Sequence, residues 1–131
     1  MADLASGDGL AVILAALADL TGIPDALVQG AAYEALGTTG CPAPLAARAV
    51  AALSASAWQV RSGAATALSA AEPKVAVLAL AKALADQNAD VRKAAALALT
   101  RHNDTEDARA ALAEATSDPD ADVRAYAARA L

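Results

Sequence analysis

Val123 to Leu131 reads VRAYAARAL, and Val91 to Leu99 has already read VRKAAALAL. Two earlier stretches fall in the same register: Val60 to Leu68 is VRSGAATAL and Val28 to Leu36 is VQGAAYEAL. The valines stand 32, 31 and 32 residues apart, and each is followed by Ala at the fourth and seventh positions and Leu at the eighth. On a helix of 3.6 residues per turn those positions share one face. A chain that writes one amphipathic stripe at a fixed period is confined to repeat architectures, because each copy must bury its stripe against the next.

Each copy reads as the second helix of a pair. A capping residue precedes the valine by three or four positions: Asp25, Ser56, Asn88 and Asp120. Such side chains accept hydrogen bonds from the free N–H groups of a first helical turn. First helices are expected at about 10–20, 44–54, 73–85 and 105–116. Pro44 and Pro73 suit a first helical position, where the missing N–H has no partner to lose. Asp104, Glu106 and Asp107 put negative charge at the positive end of a helix dipole, and Gly22 suits a left-handed stop. The SGDG at residues 6–9 reads as a flexible start and cap.

Composition agrees. Alanine fills 43 of 131 positions and Phe is absent. Alanine is the best helix former, and β-branched residues are too few for a sheet. The reading is one all-α domain, 1–131, with repeats at about 8–37, 43–70, 73–102 and 104–131. The net charge of −5 disfavours nucleic acid, whose phosphates demand a basic surplus. The apolar run Leu10–Ala18 is too short for a bilayer, and the residues before it lack a basic leader. The single cysteine, Cys41, has no internal partner and fits a reducing compartment, so a cytoplasmic location is expected.

No constellation for chemistry emerges. His102 is the lone histidine; with Asp104 and Asp107 it is better explained as a helix-end residue beside a capping Asp than as a cation site. Cys41 sits in the longest inter-repeat linker, GTTGCPAPLA, where an exposed thiol has no base nearby in sequence. No H-E-x-x-H, paired-Cys or glycine-rich phosphate motif is present, and no cofactor is expected. A catalytic motif also has no reason to recur in every structural unit.

The pattern D-x-x-x-x-V-R-x-x-A-A-x-A-L resembles the HEAT repeat, in particular the short form named after phycobilisome lyases, and most clearly over 73–131. The resemblance implies a right-handed α-solenoid of about four stacked helix-turn-helix units. It also implies a hydrogen-bonded ladder between repeats, made by a turn Asp and the Arg six residues on. Asp86 with Arg92 and Asp118 with Arg124 match that spacing. The second repeat keeps Arg61 but has Ala55 at the Asp position, and the first has Gln29 and no Asp. The ladder is therefore expected in the C-terminal half, with the first repeat a diverged end cap.

In proteins of this kind the second helices line the concave face. Those segments and their caps hold six basic and five acidic residues, while the remainder holds four and ten. The implied groove is thus less acidic than the rest of the surface. It also carries all the aromatics: Tyr33, Trp58 and Tyr126. Aromatic and arginine side chains are the usual anchors of binding surfaces. The expected function is a non-catalytic protein-interaction scaffold that holds an acidic or amphipathic segment of another protein, with Tyr33, Trp58, Lys93 and Arg129 as contacts. The resemblance leaves two alternatives, a bilin-lyase-like enzyme or subunit and, less favoured, a DNA-binding protein. The fourth repeat stops at Leu131 without a polar cap, which suggests a longer array or self-association at that end.

Overall fold

A computed structural model describes residues 7–131. The described residues form eight helices: α1 (Gly7–Thr21), α2 (Ala26–Thr39), α3 (Ala43–Ala52), α4 (Trp58–Leu68), α5 (Pro73–Ala83), α6 (Ala89–Thr100), α7 (Glu106–Ala115) and α8 (Ala121–Arg129). Successive helices pair as hairpins, and α2, α4, α6 and α8 stack in one row, each against the next. The first helices α3, α5 and α7 touch one another far more sparsely. The row with closer backbones lies on the inside of the curve, which puts the second helices on the concave side of an α-solenoid.

The repeated stripe is the core. Ala32, Ala64, Ala95 and Ala127 are buried, as are Leu36, Leu68 and Leu99 at the eighth position. Leu80 of α5 and Leu112 of α7 fill the space between layers, fully buried. Leu131 breaks the series at 57% exposed.

Three helix ends differ from expectation. Asp25, Asn88 and Asp120 cap α2, α6 and α8 from three residues before the valine. In α4 that position is Ala57, so Ser56 sits one residue outside the cap and no side chain closes the turn. Thr105, not Asp104, caps α7, with its Oγ1 accepting from Ala108 N–H. Gly22 is not left-handed; among the described residues the one glycine with positive φ is Gly40, at 107°, after α2. Gly7–Gly9 already belong to α1, and Ser6 of the SGDG stretch lies outside the described residues.

The joint between α2 and α4 is the tightest in the stack, and glycine makes it so. A Cβ built on Gly30 would stand 2.5 Å from the Gln59 carbonyl oxygen, and one on Gly37 would stand 2.8 Å from that of Thr66. A Cβ on Gly63 would collide with the backbone of Gly30 itself. Glycine inside a helix normally costs about 1 kcal/mol relative to alanine. Here the usual sign reverses, since the side chain would have to push two backbones apart. Gly63→Ala is expected to lower stability by about 1–3 kcal/mol. Gly22→Ala, whose Cβ would make only an ordinary contact at 3.4 Å with Asp19 O, should stay within about 0.5 kcal/mol. Urea unfolding midpoints of the two variants compare these directly.

Candidate functional site

At the N-terminal ends of the second helices runs a chain of arginines. Arg92 Nη1 donates to the carbonyl oxygens of Asp86 (2.9 Å) and Gln87 (3.2 Å) in its own turn. Its Nε and Nη2 then reach the carboxylate of Asp118 in the next repeat, at 3.0 and 3.4 Å. Arg61 repeats the arrangement one unit earlier, with Nη1 on Ala55 O and Ser56 O and its other nitrogens on Asp86 at 2.8 and 3.1 Å. The Asp and Arg that share a turn are thus not ion partners: each Arg meets the Asp of the following repeat. The ladder consequently starts at Arg61, one repeat earlier than expected, although the Asp position of that repeat is Ala55. Arg124 donates to Asp118 O and Pro119 O and meets no carboxylate among the described residues.

Each acceptor Asp also orders its own turn, since Asp86 accepts from Asn88 N–H and Asp118 from Asp120 N–H. Burial of Asp86 works against its ionisation. The hydrogen bonds from Arg61 and Asn88 N–H and the charges of Arg61 and Arg92 outweigh that penalty and hold the carboxyl below its ordinary value.

Three residues singled out in the sequence prove to be internal. Tyr33, expected on the partner face, is 6% exposed. Desolvation raises its phenol pKa, opposed by a hydrogen bond with Thr21 and the charge of Arg48. Arg48 of α3 in turn reaches Ala18 O at 3.3 Å and Thr21 Oγ1 at 3.5 Å. This cluster joins the first two repeats where the ladder has no rung. Nothing in the repeat pattern marks it, because Arg48 recurs in no other unit, its register holding Ala79 and Ala111 in the next two. His102 is also buried, with Nε2 2.9 Å from Leu68 O. A carbonyl only accepts, so Nε2 carries the hydrogen and ties α4 to the turn after α6. Cys41, expected exposed in its linker, is packed in the core, and burial pushes its thiol up to about 11.

The second-helix face carries the remaining candidates. Trp58 is 40% exposed and shares a shallow groove with Leu27, 68% exposed, and with Glu34. Lys93 Nζ lies 3.2 Å from Asp122 Oδ2 and 3.7 Å from Asp90 Oδ1, so its charge is already engaged on the second-helix face. It is a second inter-repeat link, which its position beside Arg92 did not announce. Arg129 is exposed, its guanidinium 5.8 Å from the Tyr126 ring centroid. Sequence reasoning passed over Arg101, just past α6, which is exposed and makes no ion pair among the described residues. Among the described residues no three His, Cys, Asp or Glu side chains come together to hold a metal. No described helix is long and apolar enough to cross a membrane.

The arginine spacing, the alanine stripe and the curved row of hairpins define a helical-repeat protein. The family model for HEAT repeats matches residues 46–131, more than half of the chain, and the protein belongs to that family. A crystal structure of an engineered protein superposes with a TM-score of 0.70 at 22% identity. The match covers 89% of this chain and 60% of the engineered one, so it spans less than two thirds of that protein's length. No curated protein matches. HEAT repeats commonly act as protein-interaction scaffolds.

The ladder geometry ranks its members. Arg92→Ala loses a two-pronged ion pair and the backbone contacts together, whereas Arg124→Ala loses backbone contacts alone. Arg92→Ala should be the more destabilising by about 1.5–3 kcal/mol, read from chemical unfolding. Asp86 sets a pH dependence of definite sign. Its folded pKa is depressed, so its contribution is complete above its unfolded value of about 4 and is lost as pH falls through the folded value. Asp86→Asn should therefore be destabilised at neutral pH, with the gap to the natural chain closing in the acid range. For Cys41, labelling by a thiol-specific disulfide reagent at pH 8 should be slow in the folded protein and immediate in urea. Rapid labelling without denaturant would contradict its burial.

Proposed function

We propose that this HEAT-repeat domain, residues 1–131, is a non-catalytic scaffold that holds a segment of another protein along its second-helix face. The observation that carries the reading is the division of labour among polar side chains. The groups with chemical potential are consumed structurally: the His102 ring on Leu68 O, the Cys41 thiol in the core, Arg61 and Arg92 on their aspartates. The side chains left exposed on the second helices are anchors of the kind interfaces use, namely Trp58, Leu27, Leu97, Arg101 and Arg129. Their row also lies on the inside of the curve, where one extended segment can touch several repeats at once. A buried, unpaired thiol suits the reducing cytoplasm, where we place the protein.

The test is retention of proteins from a lysate of the source organism on three immobilised baits. They are the natural chain, a Trp58→Ala/Arg129→Glu double variant, and a first-helix variant, Leu78→Ser, at an exposed site of α5. A protein kept by the natural and first-helix baits but lost from the second-helix variant is the expected result. Loss from the first-helix variant alone would move the binding face to the convex side and overturn the reading.

A further inference from the structure

The sixth position after each repeat valine is the outward crest of the second-helix row. It holds Glu34, Thr66, Leu97 and Arg129 in turn, so the row runs from acidic through apolar to basic. Around its basic end two adjoining hollows flank α6. One is lined by Thr66, Ser69, Leu97, Thr100 and Arg101, and the other by Leu97, Thr100, Tyr126 and Arg129. They share Leu97 and Thr100, which stand on the crest between them, so the two hollows make one continuous surface groove that crosses α6. Leu97 is 47% exposed and Tyr126 is half-buried beside it.

The charge of this groove is of one sign. Among the described residues Arg101 and Arg129 are its only ionisable basic walls, no carboxylate lines it, and neither arginine makes an ion pair. In a chain of net charge −5 that is a marked local reversal. Helix C-termini favour a nearby cation, which accounts for an arginine at the end of each helix. It does not account for both standing on one groove with an exposed leucine between them.

We propose that this groove binds an extended acidic peptide in which two carboxylates flank an apolar residue. The inference rests on the scaffold reading above and specifies its occupant. The carboxylates go to Arg101 and Arg129, and the apolar side chain goes onto Leu97 and the Tyr126 ring. Geometry sets their spacing. Neighbouring helix axes lie about 8–10 Å apart. Arg101 stands four register positions further along its helix than Arg129, or about 6 Å at 1.5 Å per residue. The two guanidinium roots are therefore roughly 11 Å apart, which an extended chain spans in three to four residues. Successive side chains of an extended chain point to opposite faces, so carboxylates at i and i+4 with the apolar residue at i+2 share the face that meets the groove, roughly 13 Å apart and within reach of the long arginine side chains.

Fluorescence anisotropy tests it with a short labelled peptide bearing a Glu-Gly-Leu-Gly-Glu core. The matched probes are Gln-Gly-Leu-Gly-Gln, Glu-Gly-Gly-Gly-Glu and a labelled single-stranded oligonucleotide. The first peptide should bind, lose about tenfold in affinity when both Glu are replaced by Gln, and weaken with added salt. Arg101→Gln and Arg129→Gln should each cause a comparable loss while the far-ultraviolet circular dichroism stays helical, since neither arginine carries a structural ion pair. Equal binding of the Gln peptide, or unchanged affinity in both arginine variants, would overturn the proposal. So would preferential binding of the oligonucleotide, which would assign the arginines to phosphate. If the peptides fail while retention of a cellular protein still depends on Trp58 and Arg129, the occupant is wrong and the scaffold stands. If both fail, the second-helix face is not the binding surface.

Discussion

Close approach of the second helices is the constraint from which the rest of this molecule follows. Alanine at the fourth and seventh positions after each valine lets neighbouring helices pack with little between their backbones, and at α2 and α4 glycine removes even the methyl group. Short separation on one side and sparser contact on the other bends the stack. The bend in turn gathers the exposed side chains of successive repeats onto one inner surface. Small residues inside thus decide where large ones stand outside. A larger side chain at these contacts would alter the curvature as well as the stability, because spacing and bend have the same cause.

Apolar packing of such uniform side chains does not by itself fix how far one hairpin slides along the next. Polar joints do, and they sit at both ends of the row. At the N-terminal ends of the second helices, Arg61 and Arg92 each join two turns and Lys93 joins Asp90 to Asp122. At the opposite end His102 reaches Leu68 O. The first interface lacks a rung and is held by Arg48, Thr21 and Tyr33 together with the glycine contact. Every repeat boundary therefore has a directional contact in addition to its apolar one. No buried side-chain polar atom among the described residues lacks a partner.

The repeat, the helices and the core stripe were legible in the sequence because periodicity reports burial directly. The cap at Ser56 and the stop at Gly22 were misread because capping depends on a single position. One residue of offset puts the right side chain out of reach of the free N–H groups. The ladder was half legible: the residues were found, but their pairing crosses from one repeat to the next, and spacing along the chain shows only the Asp and Arg of the same turn. Exposure was the least legible property. Tyr33, Lys93 and Cys41 have the composition of surface or reactive residues, yet their environment is set by elements distant in sequence. Arg101 is the converse, a residue at a helix end whose significance lies in sharing a groove with Arg129 of the next repeat.

Arg124 carries a consequence for the order of assembly. Its Nη1 holds the carbonyls of Asp118 and Pro119 at 2.9 Å each, as its counterparts do in their own turns, although no carboxylate meets its outer edge. The guanidinium is therefore aimed by its own turn, before any neighbour arrives. Every rung points the same way, from an arginine to an aspartate later in the chain. A ribosome makes the receptor first and the aspartate that fills it some 25 residues afterwards. Each hairpin thus presents an oriented docking point to the one that follows it in the chain, and the rungs give the solenoid a polarity that runs with the direction of synthesis.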